Sequence, residues 1–359
     1  MTGRPRQRDI ARLAGVSQTA VSLILNGKTA EHGLTKETER KVLDAMRQLG
    51  YVPNVTAQAL RGGRNGLIGV HTFEPLFPNK GTYYDEFMVG IEDQAIRAGQ
   101  DLVLFTSVHQ REGDQSIYRG GQNRLRIADG AVILGFNQHG EELARLAAEG
   151  FPFVFIGRRE SAADLMPYIT PDYTPAVGSM VDQAYQLGHR HAAYLGLPDR
   201  SEPRVERRDA FRTFCARTGI AITEETVAEP QALTSDWLSA VCSSGATVLF
   251  VESSYHLEEL ARLSAETRTR IPSRLSVVGL DSIDAAGNAT HHWTHISVQR
   301  RAIGARAVEM LLEVIDGLRG VHDHEHYPCR LEHGATLVPP PRARVARPRS
   351  AGRRRSDTD

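Results

Sequence analysis

The chain has 359 residues, 41% hydrophobic and 24% charged, with a formal net charge of zero; that is length for two or three domains, and apolar content for a core that needs neither disulfides nor a metal. Its three cysteines, Cys215, Cys242 and Cys329, are odd in number and far apart, which argues against a disulfide framework and fits a reducing cytoplasm. No apolar stretch follows Arg4, Arg6 and Arg8, so they are not read as an export signal, and no run approaches the roughly 18 apolar residues that span a bilayer.

The charge is unevenly placed. Residues 1–64 carry eleven basic against five acidic side chains. Such an excess is the footprint of phosphate binding, although a solvated helical surface would also carry it. Within this segment Ile10, Leu13 and Ala14 recur at helical spacing until Gly15. Ser17 can cap a second helix to about Leu25, with Val21, Ile24 and Leu25 as its buried stripe. Asn26-Gly27 is a turn signal. A third helix is predicted from Thr35 to Leu49, with Gly50 placed to end it. Asn54 can cap a short helix through Leu60, followed by the basic junction RGGRNG. These patterns predict an all-α domain over 1–53 and a short helix with linker over 54–66.

From Leu67 short apolar strands alternate with helices. Strands are predicted at Leu67–Val70, Leu102–Phe105, Ala131–Leu134, Phe153–Ile156, Ala192–Leu195, Val248–Val251 and Ser276–Val278. Helical stretches separate them, among them Phe87–Ala98, Ala176–Leu187, Arg207–Thr218 and Leu257–Thr267. This alternation implies parallel sheets with helices on both faces, which bind ligands beyond the carboxyl ends of their strands. The α/β region is expected over 67–341. Residues 342–359 hold seven arginines among Pro, Ala, Gly and Ser. They are expected to form a disordered basic tail that either adds non-specific attraction to DNA or only solubilises the chain.

Catalytic and metal motifs are missing. His322, His324 and His326 alternate close to Cys329, a spacing that would align imidazoles on one side of a strand. Their mixture with Asp323 and Glu325 favours a solvated loop instead, and no metal or cofactor is assigned. The RGGRNG junction lacks the P-loop pattern, and neither GxSxG nor HExxH occurs. An enzyme is therefore not expected.

The segments RDIARLAGVSQTAVSLILNG and TKETERKVLDAMRQLGYVPN closely resemble the DNA-binding signature of the LacI/GalR regulators. The resemblance continues through IGV at 68–70, ADGAVILG at 128–135, QLGHRHAAYLG at 186–196, SVVGLDS at 276–282 and HISVQRRAIGARAVEMLLEVIDG at 295–317. It implies a helix-turn-helix headpiece, a hinge helix and a two-lobed periplasmic-binding-protein-like α/β effector domain. It also implies a cytoplasmic homodimer on a palindromic operator, with no membrane partner. By this resemblance Gln18 and Thr19 are the main base readers, residue types able to pair with adenine or touch a thymine methyl. Ser17, Ser22 and Asn26 would contact phosphates or neighbouring bases. Leu60 would wedge into the minor groove beside Gln58 and Arg61. Leu23 stands where many relatives carry a guanine-reading Arg, so no operator consensus is transferred.

The motif RRDAF at 207–211 resembles the family's Arg-x-x-Gly-Phe, which makes Arg207 the first effector candidate. Asp281, ending VVGLD, matches an aspartate that accepts hydrogen bonds from effector. Phe73, Tyr84, Arg158, Trp237 and Gln299 fall near ligand-facing positions of relatives; Trp237 reads equally well as core. Ser253-Ser254 replaces the usual Asn-Asp, which alters the polar contact set. Arg, Asp, Gln and aromatic groups suit a hydroxyl-rich ring, so a carbohydrate effector is expected. The function implied is a ligand-controlled repressor; an activator or corepressor-dependent regulator shares the architecture. A transport protein or sugar enzyme is disfavoured by the headpiece and the missing motifs.

Overall fold

Three short helices form because each has a stop or a cap where its apolar stripe ends. In the computed structural model, α1 (Gln7–Ala14) ends at Gly15 in the left-handed region, φ 68°. The Ser17 hydroxyl accepts from the Ala20 amide at 3.1 Å and starts α2 (Gln18–Leu25). Thr35 caps α3 (Lys36–Leu49), accepting from the Thr38 amide, and Gly50 ends it at φ 59°. The three pack Ile10, Ala11, Val21, Ile24, Val42 and Ala45 into one small core. The structure describes residues 5–25, 29, 32–51, 64–74, 84–106, 116–135, 140–198, 201–267, 269–283 and 292–341. The expected hinge helix, the tail, and Asn26, Gln58, Leu60 and Arg61 lie outside them.

Two six-stranded sheets follow. The first runs β13 (Glu325–Pro328), β7 (Tyr168–Asp172), β6 (Phe153–Ile156), β5 (Gly130–Leu134), β1 (Leu67–Thr72), β2 (Asp101–Phe105), with every pairing parallel. The second runs β14 (Arg330–Glu332), β12 (Thr294–Ser297), β11 (Ser276–Gly279), β10 (Val248–Val251), β8 (His191–Gly196), β9 (Ala221–Thr226). Only its β12–β14 edge pair is antiparallel. A small hairpin joins β3 (Tyr118–Arg119) to β4 (Gln122–Asn123).

The two-residue period of each strand divides its side chains between two cores. In β5, Val132 and Leu134 join the inner core while Ala131 and Ile133 join the outer one. In β10, Val248 and Phe250 face inward and Leu249 and Val251 outward. Helices α4 (Asp85–Arg97) and α5 (Gly140–Ala148) belong to the first lobe. Helices α6 (Tyr173–Gln186), α7 (Glu202–Thr218), α8 (Ser235–Ser243) and α9 (Ser254–Glu266) belong to the second. The sequence reading passed over β7, which contains Pro171, and β9, whose edge position leaves it largely exposed.

The chain crosses between lobes three times: from β7 into α6, from β12 into α10 (Arg300–Ile315), and between β13 and β14 through Cys329 alone. The stretch read as a solvated histidine loop is corrected by the third crossing. It forms the parallel edge strand β13, which Arg306 and Arg319 hold through Glu325 at 2.6 and 2.7 Å. His324 stacks on Tyr168 at 4.1 Å. Among the described residues no three ligating side chains gather for a metal, and no helix is long and apolar enough to cross a membrane.

Helix α10 leaves the second lobe yet lies on the first, against α4. Two glycines permit this crossing: a Cβ on Gly304 would overlap the Phe87 carbonyl, and one on Gly90 the Arg301 carbonyl. Backbone cannot give way as a side-chain end can. Gly304→Ala should therefore cost roughly 2–3 kcal/mol, a fall of roughly 5–10 °C in thermal midpoint by calorimetry. Gly320→Ala, where a Cβ meets only open space and the Asp323 carboxylate at 3.6 Å, should leave the midpoint unchanged.

Candidate nucleic-acid helix and ligand cleft

Helix α2 buries Ala20, Val21 and Ile24 and leaves Ser17, Gln18 and Thr19 exposed at its amino end. Ser22 and Leu23 are half-buried one turn further on. Short polar groups at a helix amino end, on a basic module, are a geometry able to enter a major groove. The surrounding charge is partly offset within the domain, since Arg12 pairs with Asp9 at 3.2 Å and Lys41 with Glu37 at 2.9 Å. Arg8 and Arg40 are exposed.

The carboxyl ends of both sheets face each other across a cleft. On the second lobe its floor is built by Arg207 from α7, Glu252 after β10, Asp281 after β11, and Gln299 and Arg300 at the start of α10. The hollow they line measures ≈ 1680 Å³. Arg207 is buried, with its guanidinium over the Tyr173 ring at 4.8 Å. It donates to the Leu280 carbonyl at 3.1 Å and pairs with Asp281 at 3.1 Å. Its Nε has no hydrogen-bond partner among the described residues. The other oxygen of Asp281 accepts from Arg300 at 2.8 Å and from the Ser282 amide at 2.7 Å.

Burial opposes both charges of this triad, and their proximity outweighs it. The Asp281 carboxyl is held below the usual range because Arg300 and Arg207 overcome its desolvation. The Arg207 guanidinium is pushed up because Asp281 overcomes the same effect. Glu252 is a second buried carboxylate and accepts from the Tyr194 hydroxyl at 2.6 Å and the Leu197 amide at 2.7 Å. Burial, then the Glu252 charge, raises the Tyr194 phenol. His256, buried in the first turn of α9, lines the cleft and has its pKa lowered chiefly by desolvation.

The structure brings together only some of the sequence-predicted ligand residues. Arg207, Asp281 and Gln299 share the cleft. Tyr84 lies in a separate hollow of ≈ 30 Å³ at the strand ends of the first lobe, closed by Ser201 and Pro203 of the second. Its hydroxyl donates to Glu74 at 2.5 Å. Arg158 instead points outward and pairs with Glu160, which is exposed. Its neighbour Arg159 is the buried one, stacked on Phe155 at 4.7 Å and paired across the lobes with Glu202 at 3.2 Å. Phe73 is fully buried in the outer core of the first lobe, edge-on to His71, because its amide continues the ladder to Leu134. Trp237 packs on the outer core of the second lobe, since α8 covers the face of the sheet rather than its end. Sequence reasoning passed over Arg300, His256 and Arg159. Arg159 stands beside Arg158 and Arg300 beside Gln299, so those two left a local signal, and His256 left none.

Residues 8–54 match the family described as bacterial regulatory proteins, lacI family, and residues 181–337 match a periplasmic binding protein-like domain. The maltose regulon regulatory protein MalI of Escherichia coli is 30% identical over 221 residues, 62% of this chain and 62% of that protein. The Lac repressor dimer bound to operator and an anti-inducer superposes with a TM-score of 0.70 at 23% identity, covering 93% of this chain and 99% of that one. A complex of the regulator CelR with cellobiose gives a TM-score of 0.58 at 19% identity, over 93% and 100% of the two chains.

The triad makes a pH-dependent prediction. Replacing Asp281 with Asn removes the carboxylate that faces the buried Arg207 and the half-buried Arg300, and should cost roughly 3–5 kcal/mol at pH 7. A depressed carboxyl stabilises the fold above its unfolded pKa and loses that contribution as pH falls through its folded value. The gap between wild type and Asp281→Asn in denaturant titrations should stay constant down to about pH 5 and narrow below about pH 4.

Proposed function

Because the chain belongs to the LacI family of bacterial regulatory proteins, we propose that it is a cytoplasmic transcriptional repressor rather than an enzyme. It acts as a homodimer on a palindromic operator, and a carbohydrate effector controls its operator affinity. One observation carries the regulatory part. Helix α10 begins in the cleft, where Arg300 holds Asp281, and ends at the linker, where the Ile315 carbonyl accepts from Arg64 at 3.0 Å and Asp316 pairs with it at 2.5 Å. A ligand that moves the start of this helix acts on the segment that carries the DNA-binding domain. By linkage, effector and operator then change each other's affinity by the same factor.

Gln18 and Thr19 read bases, Ser17 and Ser22 contact phosphates or adjacent bases, and Asn26, Gln58, Leu60 and Arg61 complete the DNA contacts. Arg207, Asp281 and Gln299 hold the effector. Two arginines and two carboxylates at the cleft floor balance in charge, which supports a neutral, hydroxyl-rich ligand. The sugars named with MalI and CelR support the same class.

Selection of bound duplexes from a random pool, repeated with a panel of mono- and disaccharides, tests the reading. The expected result is a palindromic site that one sugar releases. Gln18→Ala should then relax discrimination at one position of each half-site by roughly 1–3 kcal/mol. Arg207→Ala should keep ligand-free operator affinity and lose the sugar response. Enrichment of no site under any condition would refute the repressor assignment.

A further inference from the structure

Turning by about 100° per residue, α2 divides its side chains into two arcs. Ala20, Val21 and Ile24 are buried on one, and Leu25 packs there against the headpiece core. Gln18, Thr19, Ser22 and Leu23 fall on the opposite arc, which is about 140° wide. Gln18 and Thr19 are exposed there, and Ser22 and Leu23 are half-buried. Three of these four side chains are polar. Leu23 is not, yet it belongs neither to the headpiece core nor to the partly buried side chains packed against it. An apolar group held at a polar, half-open surface of a module with eleven basic against five acidic residues adds little to the fold.

Leu23 follows Thr19 by four residues, so the two lie on one side of the helix, about 6 Å apart along its axis. That is less than two base-pair steps of about 3.4 Å each. A helix that presents Gln18 and Thr19 to base edges therefore brings Leu23 into the same groove, against a neighbouring pair. Leucine has no donor or acceptor, so it distinguishes bases only by shape and apolar contact. The major groove offers one apolar group, the C5-methyl of thymine. Its other edges are donors and acceptors, and a leucine laid over them would strip away their water and give nothing in return.

We propose that Leu23 is a specificity-determining residue of the DNA-binding helix and reads the C5-methyl of a thymine beside the bases met by Gln18 and Thr19. The inference rests on α2 being the helix that enters the major groove.

The test starts from the palindromic site that the full chain enriches from a random duplex pool. Its thymines are replaced one at a time, in both half-sites together, by deoxyuridine, which lacks only the methyl. At one position wild type should lose about fifteenfold in affinity, about fourfold for each methyl no longer buried. Leu23→Ala should bind the thymine and uracil duplexes there within about twofold of each other. Its thermal midpoint should equal that of wild type, because Leu23 lies outside the core. Placing cytosine and then 5-methylcytosine at the same position returns the methyl to a C·G pair. Methylation should strengthen binding by wild type and leave Leu23→Ala unmoved. The uracil substitution alters only the DNA, so it reads the contact independently of how any variant folds. An enriched half-site without thymine beside the position that Gln18→Ala relaxes, or an equal effect of uracil on both chains at every thymine, would overturn the proposal and leave the repressor reading standing. So would a lowered midpoint in Leu23→Ala with weaker binding to all duplexes alike, which is the behaviour of a core side chain. If no site is enriched, the repressor reading fails and this inference fails with it.

Discussion

The architecture depends on one close approach, the crossing of α4 and α10 at Gly90 and Gly304. Because no Cβ intervenes, the backbones of two helices meet directly, and a helix that starts in the second lobe is welded to the first. Its apolar face, with Ile303, Ala307, Val308 and Leu311 fully buried, then closes the inner core common to both lobes. A side chain at either glycine would push α10 off that core. It would also displace Arg300 from Asp281 at one end and Asp316 from Arg64 at the other.

The cleft is expensive in desolvation, and the fold meets that cost by pairing. Two arginines and two carboxylates are largely removed from water, yet each has a counter-charge, a backbone carbonyl or an amide within hydrogen-bonding distance. A paired, rigid polar floor is already organised for a ligand and loses little on binding one. The inter-lobe pair of Arg159 with Glu202 lies on the other side of the same opening. Arg159 also lines the small first-lobe hollow, which Ser201 and Pro203 of the second lobe close.

Charge is distributed along the molecule in three zones: basic headpiece, acidic lobes, basic tail. The sheet registers put the amino ends of the two sheets on opposite sides of the cleft.

Local chemistry was readable from the sequence wherever the determining contacts are short in range. The spacing of Ile10, Val21 and Val42, the caps Ser17 and Thr35, and the alternating cores of β5 and β10 depend on neighbours a few residues away, and so does the placement of Gln18 and Thr19 on the open end of α2. The cleft positions of Asp281 and Arg207 were legible because each sits in a distinctive motif, VVGLD and RRDAF. Tertiary structure alone decided the rest. Whether Arg158 or Arg159 turns inward, whether Phe73 and Trp237 face the cleft or a core, and whether the histidine run is loop or strand depend on packing against residues far away in the chain. The partnership of Arg300 with Asp281 and the return of α10 to the first lobe have the same origin. Such contacts leave no periodicity behind, because they join segments whose sequences impose nothing on one another until the sheets have formed.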